Sequence, residues 1–218
     1  MLSQVLAGDV SPSGRLTHTW VRSVGYVGTN SQPYYQFPAL TTHDWMDGEA
    51  SALWEYGYGL SYSTFSFSSL VVFALPPADA AKGHNVEASV TVANTGRVAS
   101  SVTAQAYCSY LDSPRLRVVR WASMLCGFTK VFLRPGQATT AHVNITLSTL
   151  ARWDPRAVST DLLGHAVAGA YVVDAGRWRV AVGDCSGAAA AAGYAAPHPC
   201  PQQRGTFEVA RTLTFAGK

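Results

Sequence analysis

The side chains able to do chemistry in this sequence are few and scattered. Thr42-His43-Asp44-Trp45 is followed by Asp47, Glu49 and Glu55, a small acidic cluster. Its chemical use would be as a carboxylate pair for acid–base work or as a cation site. In this loop-like setting Asp44 and Asp47 fit turn caps, accepting hydrogen bonds from nearby backbone N–H groups, and the cluster reads as a hydrated loop. The six histidines form no His-x-x-x-His or Glu-x-x-His pair and the cysteines no Cys-x-x-Cys pair, so no metal-ligand spacing is present. Gly183-Asp184-Cys185-Ser186-Gly187 is not a Gly-x-Ser-x-Gly nucleophile turn and reads as a loop after a strand. Gly57-x-Gly59 has no helix behind it whose N-terminus could hold a phosphate. The expectation is that this chain carries no catalytic residue, no cofactor and no metal.

Four cysteines remain, Cys108, Cys126, Cys185 and Cys200. An even count suits an oxidising compartment and allows three pairings. Cys185–Cys200, closing a Gly/Ala/Pro-rich loop, and Cys108–Cys126, tying two strands, are favoured; the alternative is four buried free thiols. Asn144-Ile145-Thr146 is an N-glycosylation sequon at Asn144. Exposed aromatic rings could stack on sugars, with Trp121, Trp153 and Trp178 as candidates. Trp178 alternates with Val180 and Val182 and is expected in the core instead.

The elements around these residues follow from composition and period. The chain has 218 residues, 48% apolar and only 13% charged, with a net charge of +3. That composition builds a core. Lys and Arg are dispersed, with one local group at Arg115, Arg117 and Arg120 that reads as a loop rim, so no nucleic-acid footprint is expected. No apolar run reaches the ~20 residues a membrane helix needs.

From Phe65 onward the apolar period is two. Val86, Ala88, Val90 and Val92 alternate with polar residues up to the turn Asn94-Thr95-Gly96. Val102 to Cys108, Leu125 to Leu133 and Ala141 to Leu147 follow in the same manner. Tyr171–Val173 and Trp178–Val182 suggest a hairpin around Asp174-Ala175-Gly176, and Phe207–Phe215 a last strand. Seven or eight short strands with turn signals between them predict an immunoglobulin-like β-sandwich. Before them, Met1–Ala7 fits a last helical turn and Leu16–Val21 a short strand. The aromatic residues from Trp20 to Trp54 lack regular elements of their own to pack against, and call for a partner surface.

Four ordered motifs carry a family resemblance. Gly8-Asp9-Val10-Ser11-Pro12-Ser13-Gly14-Arg15-Leu16, Tyr56-Gly57-Tyr58-Gly59-Leu60-Ser61-Tyr62-Ser63-Thr64-Phe65, Val90-Thr91-Val92-Ala93-Asn94-Thr95-Gly96 and Leu125-Cys126-Gly127-Phe128-Thr129-Lys130-Val131 resemble segments of glycoside hydrolase family 3, the β-glucosidase and β-xylosidase family. The decapeptide at Tyr56 resembles the junction where that family leaves its α/β sandwich domain and enters a fibronectin type III-like domain. The resemblance implies that residues 1–62 are the tail of the α/β sandwich domain with its junction. It implies that residues 63–218 are the fibronectin type III-like β-sandwich; within it the Gly/Ala/Pro/Gln composition of 185–205 predicts a mobile surface loop. The resemblance also implies a retaining mechanism whose nucleophile and acid/base lie in upstream domains, to which no residue here corresponds. Thr42-His43-Asp44-Trp45 superficially resembles the family's Ser-Asp-Trp nucleophile segment, but lies just before the junction rather than in a barrel.

On this resemblance Met1 is an internal position, so the lack of a signal-like stretch at Met1–Val10 is uninformative. The expected location is extracellular, secretory or vacuolar. The expected partners are the upstream catalytic domains and, in second place, polysaccharide. Trp45–Trp54 departs from the Tyr-Pro-Gly-Arg-Thr-Tyr-Arg-Phe-like stretch of plant-type members, which leaves glucose, xylose or arabinose open. The competing expectation is an independent carbohydrate-binding or adhesion sandwich.

Overall fold

The computed structural model describes residues 2–18, 20–21, 52–74, 86–112, 123–160, 165–186, 200 and 202–215. The acidic residues Asp44, Asp47 and Glu49, the basic group Arg115, Arg117 and Arg120, and Trp121 lie outside them. A short helix, α1 (Leu2–Ala7), opens the chain, and β1 (Trp20–Val21) pairs antiparallel with β2 (Ala52–Trp54).

Two sheets build the sandwich. One is ordered β3 (Phe65–Ala74), β4 (Val86–Asn94), β7 (Ala138–Ile145). The other is ordered β11 (Gln202–Val209), β10 (Gly176–Gly183), β5 (Ser100–Tyr110), β6 (Met124–Leu133). All pairings are antiparallel. Alternation decides which face is core: Val86, Ala88 and Val90 of β4 meet Ile145, Val143 and Ala141 of β7 across the register and are buried with them, as is Val92. Val102, Ala104 and Ala106 of β5 and Trp178, Val180 and Val182 of β10 close the core from the other sheet. Each such side chain contributes roughly 1.5–3 kcal/mol by leaving water, before entropy is counted.

β3 bends at Ser69, whose φ of 54° coincides with the register shift between Ser68 and Val71. Such a bulge lets one strand follow the twist of its neighbour.

A third sheet, ordered β12 (Leu213–Phe215), β9 (Ala166–Val173), β8 (Arg152–Thr160), corrects two expectations. Tyr171–Val173 and Trp178–Val182 do not form a hairpin. β9 pairs with β8 and β12, and β10 pairs with β5 and β11. Asp174 is buried and bound by Arg152, so the chain crosses here from one sheet to another. Phe207–Phe215 is likewise two strands in two sheets, separated at residues 210–212. Gln202–Gly205, expected in the loop, belong to β11.

Candidate functional site

The four motifs meet in space. Leu16 N–H donates to Tyr58 O at 2.8 Å and Gly57 N–H to Leu16 O at 2.9 Å, which lays the Arg15-Leu16 segment along the Tyr56–Gly59 turn. Ser11, Ser61 and Ser100 bring three hydroxyls within 2.9–3.1 Å of one another, joining both segments to the start of β5. Tyr62 OH donates to Val5 O at 2.7 Å and holds α1.

Ser63 Oγ donates to Asn94 Oδ1 at 2.6 Å, and Thr95 N–H donates to Thr64 O at 2.9 Å. Asn94 is buried and spends its amide on Val98 O and Leu133 O. A side chain on Gly96 would overlap Ser63 Oγ and the backbone at Thr64, so the Asn-Thr-Gly turn and the junction decapeptide require each other. In the fourth motif, a Cβ on Gly127 would meet Asn144 O of β7, which explains the glycine where β6 passes β7.

The outer face of β5 is the seat of this junction. Gln105 Nε2 donates to Gly57 O at 3.0 Å and to Asp184 O at 2.7 Å, while Tyr107 OH donates to Gln105 Oε1 at 2.7 Å. Ser186 Oγ donates to Glu55 Oε2 at 2.8 Å in a buried contact. Burial pushes the Tyr107 phenol well above its usual value, with Tyr56 and Glu55 acting in the same direction.

Arg15 reaches into the same layer, donating to Gly59 O and standing 3.9 Å from Asp184. Desolvation lowers the Arg15 pKa against the opposing pull of Asp184, and raises that of Asp184 against the pull of Arg15. Arg15 Nε and Asp184 Oδ1 are buried and have no hydrogen-bond partner among the described residues. At this distance attraction does not fully compensate burial. A cleft of about 320 Å³ opens beside the pair, lined by Arg15, Tyr58, Leu60, Ser61, Asp184 and Cys185.

Cleaving a glycosidic bond in the usual way takes two carboxyl groups facing each other across the sugar. Asp184, on the cleft wall, is committed to Arg15. Asp154 and Asp174 converge elsewhere, both held by Arg152, which donates through Nη1 to Asp154 and through Nε and Nη2 to Asp174 at 2.9–3.1 Å. Asp184, Cys185 and Cys200 place potential ligand atoms within 4.8 Å of one another, but both sulfurs are joined in a disulfide and offer no thiolate to a metal.

Cys108 and Cys126 form the other bridge, between β5 and β6, with Cα atoms 5.8 Å apart; those of Cys185 and Cys200 are 5.9 Å apart. Asn144 is exposed on β7, the edge strand of its sheet. Trp178 is buried, its Nε1 donating to Asp174 O at 3.3 Å, whereas Trp153 is exposed. Glu55, grouped by sequence with Asp44, Asp47 and Glu49, is a buried partner of Ser186. Sequence reasoning did not find the Gln105–Gly57, Arg15–Asp184 and Arg152–Asp174 contacts. The polar residues Gln105 and Tyr107 within an otherwise apolar and small-residue strand were the one local signal.

A three-strand sheet on a four-strand sheet, with the entering segment bound to the outer face of the latter, is a fibronectin type III-like arrangement. Residues 102–186 match the family model described as fibronectin type III-like domain. The chain is 32% identical over 202 residues to probable β-glucosidase L of Aspergillus fumigatus, covering 85% of this chain and 25% of that protein. It is 32% identical over 160 residues to periplasmic β-glucosidase of Salmonella typhimurium, covering 70% of this chain and 20% of that protein. Among solved structures, β-D-glucoside glucohydrolase from Trichoderma reesei superposes with a TM-score of 0.69 at 27% identity, covering 96% of this chain and 28% of that one. The chain belongs to glycoside hydrolase family 3 and corresponds to the C-terminal part of its members. It spans about a quarter of the length of the curated relatives it matches.

Proposed function

We propose that this chain is the non-catalytic C-terminal portion of a family 3 β-glycosidase, a module that stabilises the catalytic domains rather than taking part in bond cleavage. Residues 1–62 then belong with the upstream α/β sandwich domain and residues 63–218 are the sandwich module. The parent enzyme would remove terminal β-D-glucosyl or β-D-xylosyl units from cell-wall polysaccharide fragments, outside the cytoplasm or in the vacuole. The disulfides and the exposed Asn144 sequon support that location. No helix among the described residues is long and apolar enough to cross a membrane. Polysaccharide stands as a second partner of the module.

One observation carries the reading. The outer face of β5, where Gln105 and Tyr107 hold the junction, continues onto β6 as Phe128, Lys130 and Phe132, which pair with Gln105, Thr103 and Ser101. Phe128 and Phe132 are 66% and 62% exposed. A face half covered by the entering chain and half left apolar is suited to a larger body arriving by the same route. The purified chain should turn over no aryl β-glucoside or β-xyloside. Joined to upstream family 3 domains, Phe128→Ser with Phe132→Ser should lower the melting temperature of the assembly while barely changing that of the chain alone. Turnover by the chain alone, or equal melting of the two assemblies, would overturn the reading.

A further inference from the structure

The third sheet carries an aromatic pair that the packing role does not use. Trp153 of β8 and Tyr171 of β9 are direct cross-strand partners, 51% and 44% exposed. Their ring centroids are 5.2 Å apart and their planes inclined by 68°. The indole is not merely loose on the surface. Gly169 has φ of +89°, and a Cβ there would overlap the benzo ring of Trp153, so the missing side chain is what lets the ring settle against the strand. Arg152 and Asp154, whose side chains alternate to the opposite face, hold the strand on either side of Trp153 through their mutual pair and the double contact of Arg152 with Asp174. The ring is therefore fixed from behind and open in front.

We infer that Trp153 and Tyr171 form a stacking site for a pyranose ring of a soluble β-linked oligosaccharide. A β-glucosyl or β-xylosyl ring carries its substituents equatorially and presents axial C–H groups on each face. These pack on an aromatic plane without burying hydroxyls, and an aromatic ring has few rotamers to lose on contact. The inclined partner determines the class of sugar. Coplanar rings suit a flat crystalline surface, whereas two planes at 68° cradle one ring and direct the next away from it. The site therefore selects chain ends and twisted soluble chains over crystalline cellulose. It lies on a sheet that shares no strand with the one bearing the junction. This inference is independent of the packing role, which survives its failure.

The test is calorimetric titration of the 218-residue chain with cello- and xylo-oligosaccharides, alongside depletion by crystalline cellulose. Weak binding of the soluble sugars is expected, with dissociation constants on the order of 1 mM, and no depletion by the crystal. Trp153→Ala should weaken binding at least about tenfold, Tyr171→Ala less, and Trp153→Phe should retain part of it. Melting curves confirm that the variants fold; if Trp153→Ala does not, Trp153→Phe and Tyr171→Ala decide. No binding by the wild type at millimolar sugar overturns the site, as does equal binding by the folded variants. A change of association state in Trp153→Ala without sugar binding by the wild type identifies a protein contact instead, and also overturns it.

Discussion

Gly57 and Gln105 meet closely at the junction. Gln105 donates its side-chain N–H to Gly57 O at 3.0 Å, while the space beside the Gly57 Cα is filled by Gln105 Oε1 and Tyr107 OH. Gly57 also sits at φ +77°, where a side chain is strained in itself. Gly57→Ala combines both penalties and should cost about 2–4 kcal/mol in chemical denaturation. Pairing it with Gln105→Ala removes one of the two overlaps and leaves that with Tyr107 OH and the dihedral, so the double variant should recover only part of the loss. A Gly57→Ala protein as stable as the wild type would mean that the turn does not hold the junction.

The sandwich core offers a sharper contrast within one strand. Val90 is fully buried between the sheets, and its neighbour Thr91 points the other way with partial exposure. Val90→Asp places an unpaired carboxylate in the core and should destabilise by about 4 kcal/mol or more. Ile145→Asp, across the same core on β7, should behave alike. Thr91→Ser should stay within about 0.5 kcal/mol. Thermal melting of the three variants checks the assigned face, and a severe Thr91→Ser effect would reverse it.

The two bridges should differ in what they protect. Cys108–Cys126 and Cys185–Cys200 close loops of similar length, with sequence separations of 18 and 15. Removing either should cost about 3 kcal/mol if the gain comes from restricting the unfolded chain. Cys185 lies in the junction, between Asp184 and Ser186, and its carbonyl accepts from Gln202 Nε2 at 3.0 Å, whereas Cys108, next to Tyr107, joins Cys126 on the core side of β5. Cys185→Ala with Cys200→Ala should therefore speed amide exchange at Ser186, whose N–H donates to Tyr56 O, and at Gly57, whose N–H donates to Leu16 O. Cys108→Ala with Cys126→Ala should leave that exchange pattern in place despite a similar loss of stability.

What could be read from the sequence follows from where burial is one-sided. β4 shows strict alternation because one of its faces is core, and its core-facing residues were legible in the sequence. β8 and β9 run out beyond the core, with exposed Val158, Val167 and Tyr171, so their period carried little signal. The Asp174-Ala175-Gly176 turn was misread for a related reason. Asp and Gly mark a reversal whether the chain returns to the same sheet or crosses to another, and what decides is the tie from Asp174 to Arg152. The junction was legible as motifs but not as contacts. Its hydrogen bonds join residues as far apart as Glu55 and Ser186, 131 positions in sequence, and no local pattern encodes such a pairing.

The Arg15–Asp184 pair gives the junction a pH dependence of defined sign. Burial raises the Asp184 pKa above its usual 3.8, with Arg15 opposing the shift only in part. A carboxyl group whose pKa is raised by folding binds its proton more tightly in the folded state. Its contribution is fully present below the unfolded value and is lost as pH rises through the raised one. Asp112 and Asp154 act in the opposite sense, since hydrogen bonds from Arg177 and from Arg156 and Arg152 lower their pKa values. The bulk pH profile therefore mixes both signs, and the informative quantity is the difference between the wild type and Asp184→Asn. Well below pH 3.8, where the Asp184 carboxyl group is protonated in both the folded and the unfolded wild type, that difference should be constant. As pH rises above this value the wild type should lose ground relative to Asp184→Asn, until Asp184 is fully ionised. Melting temperatures of the two proteins across that interval test the claim; a difference that is flat with pH, or that moves in favour of the wild type, would show that attraction to Arg15 outweighs burial.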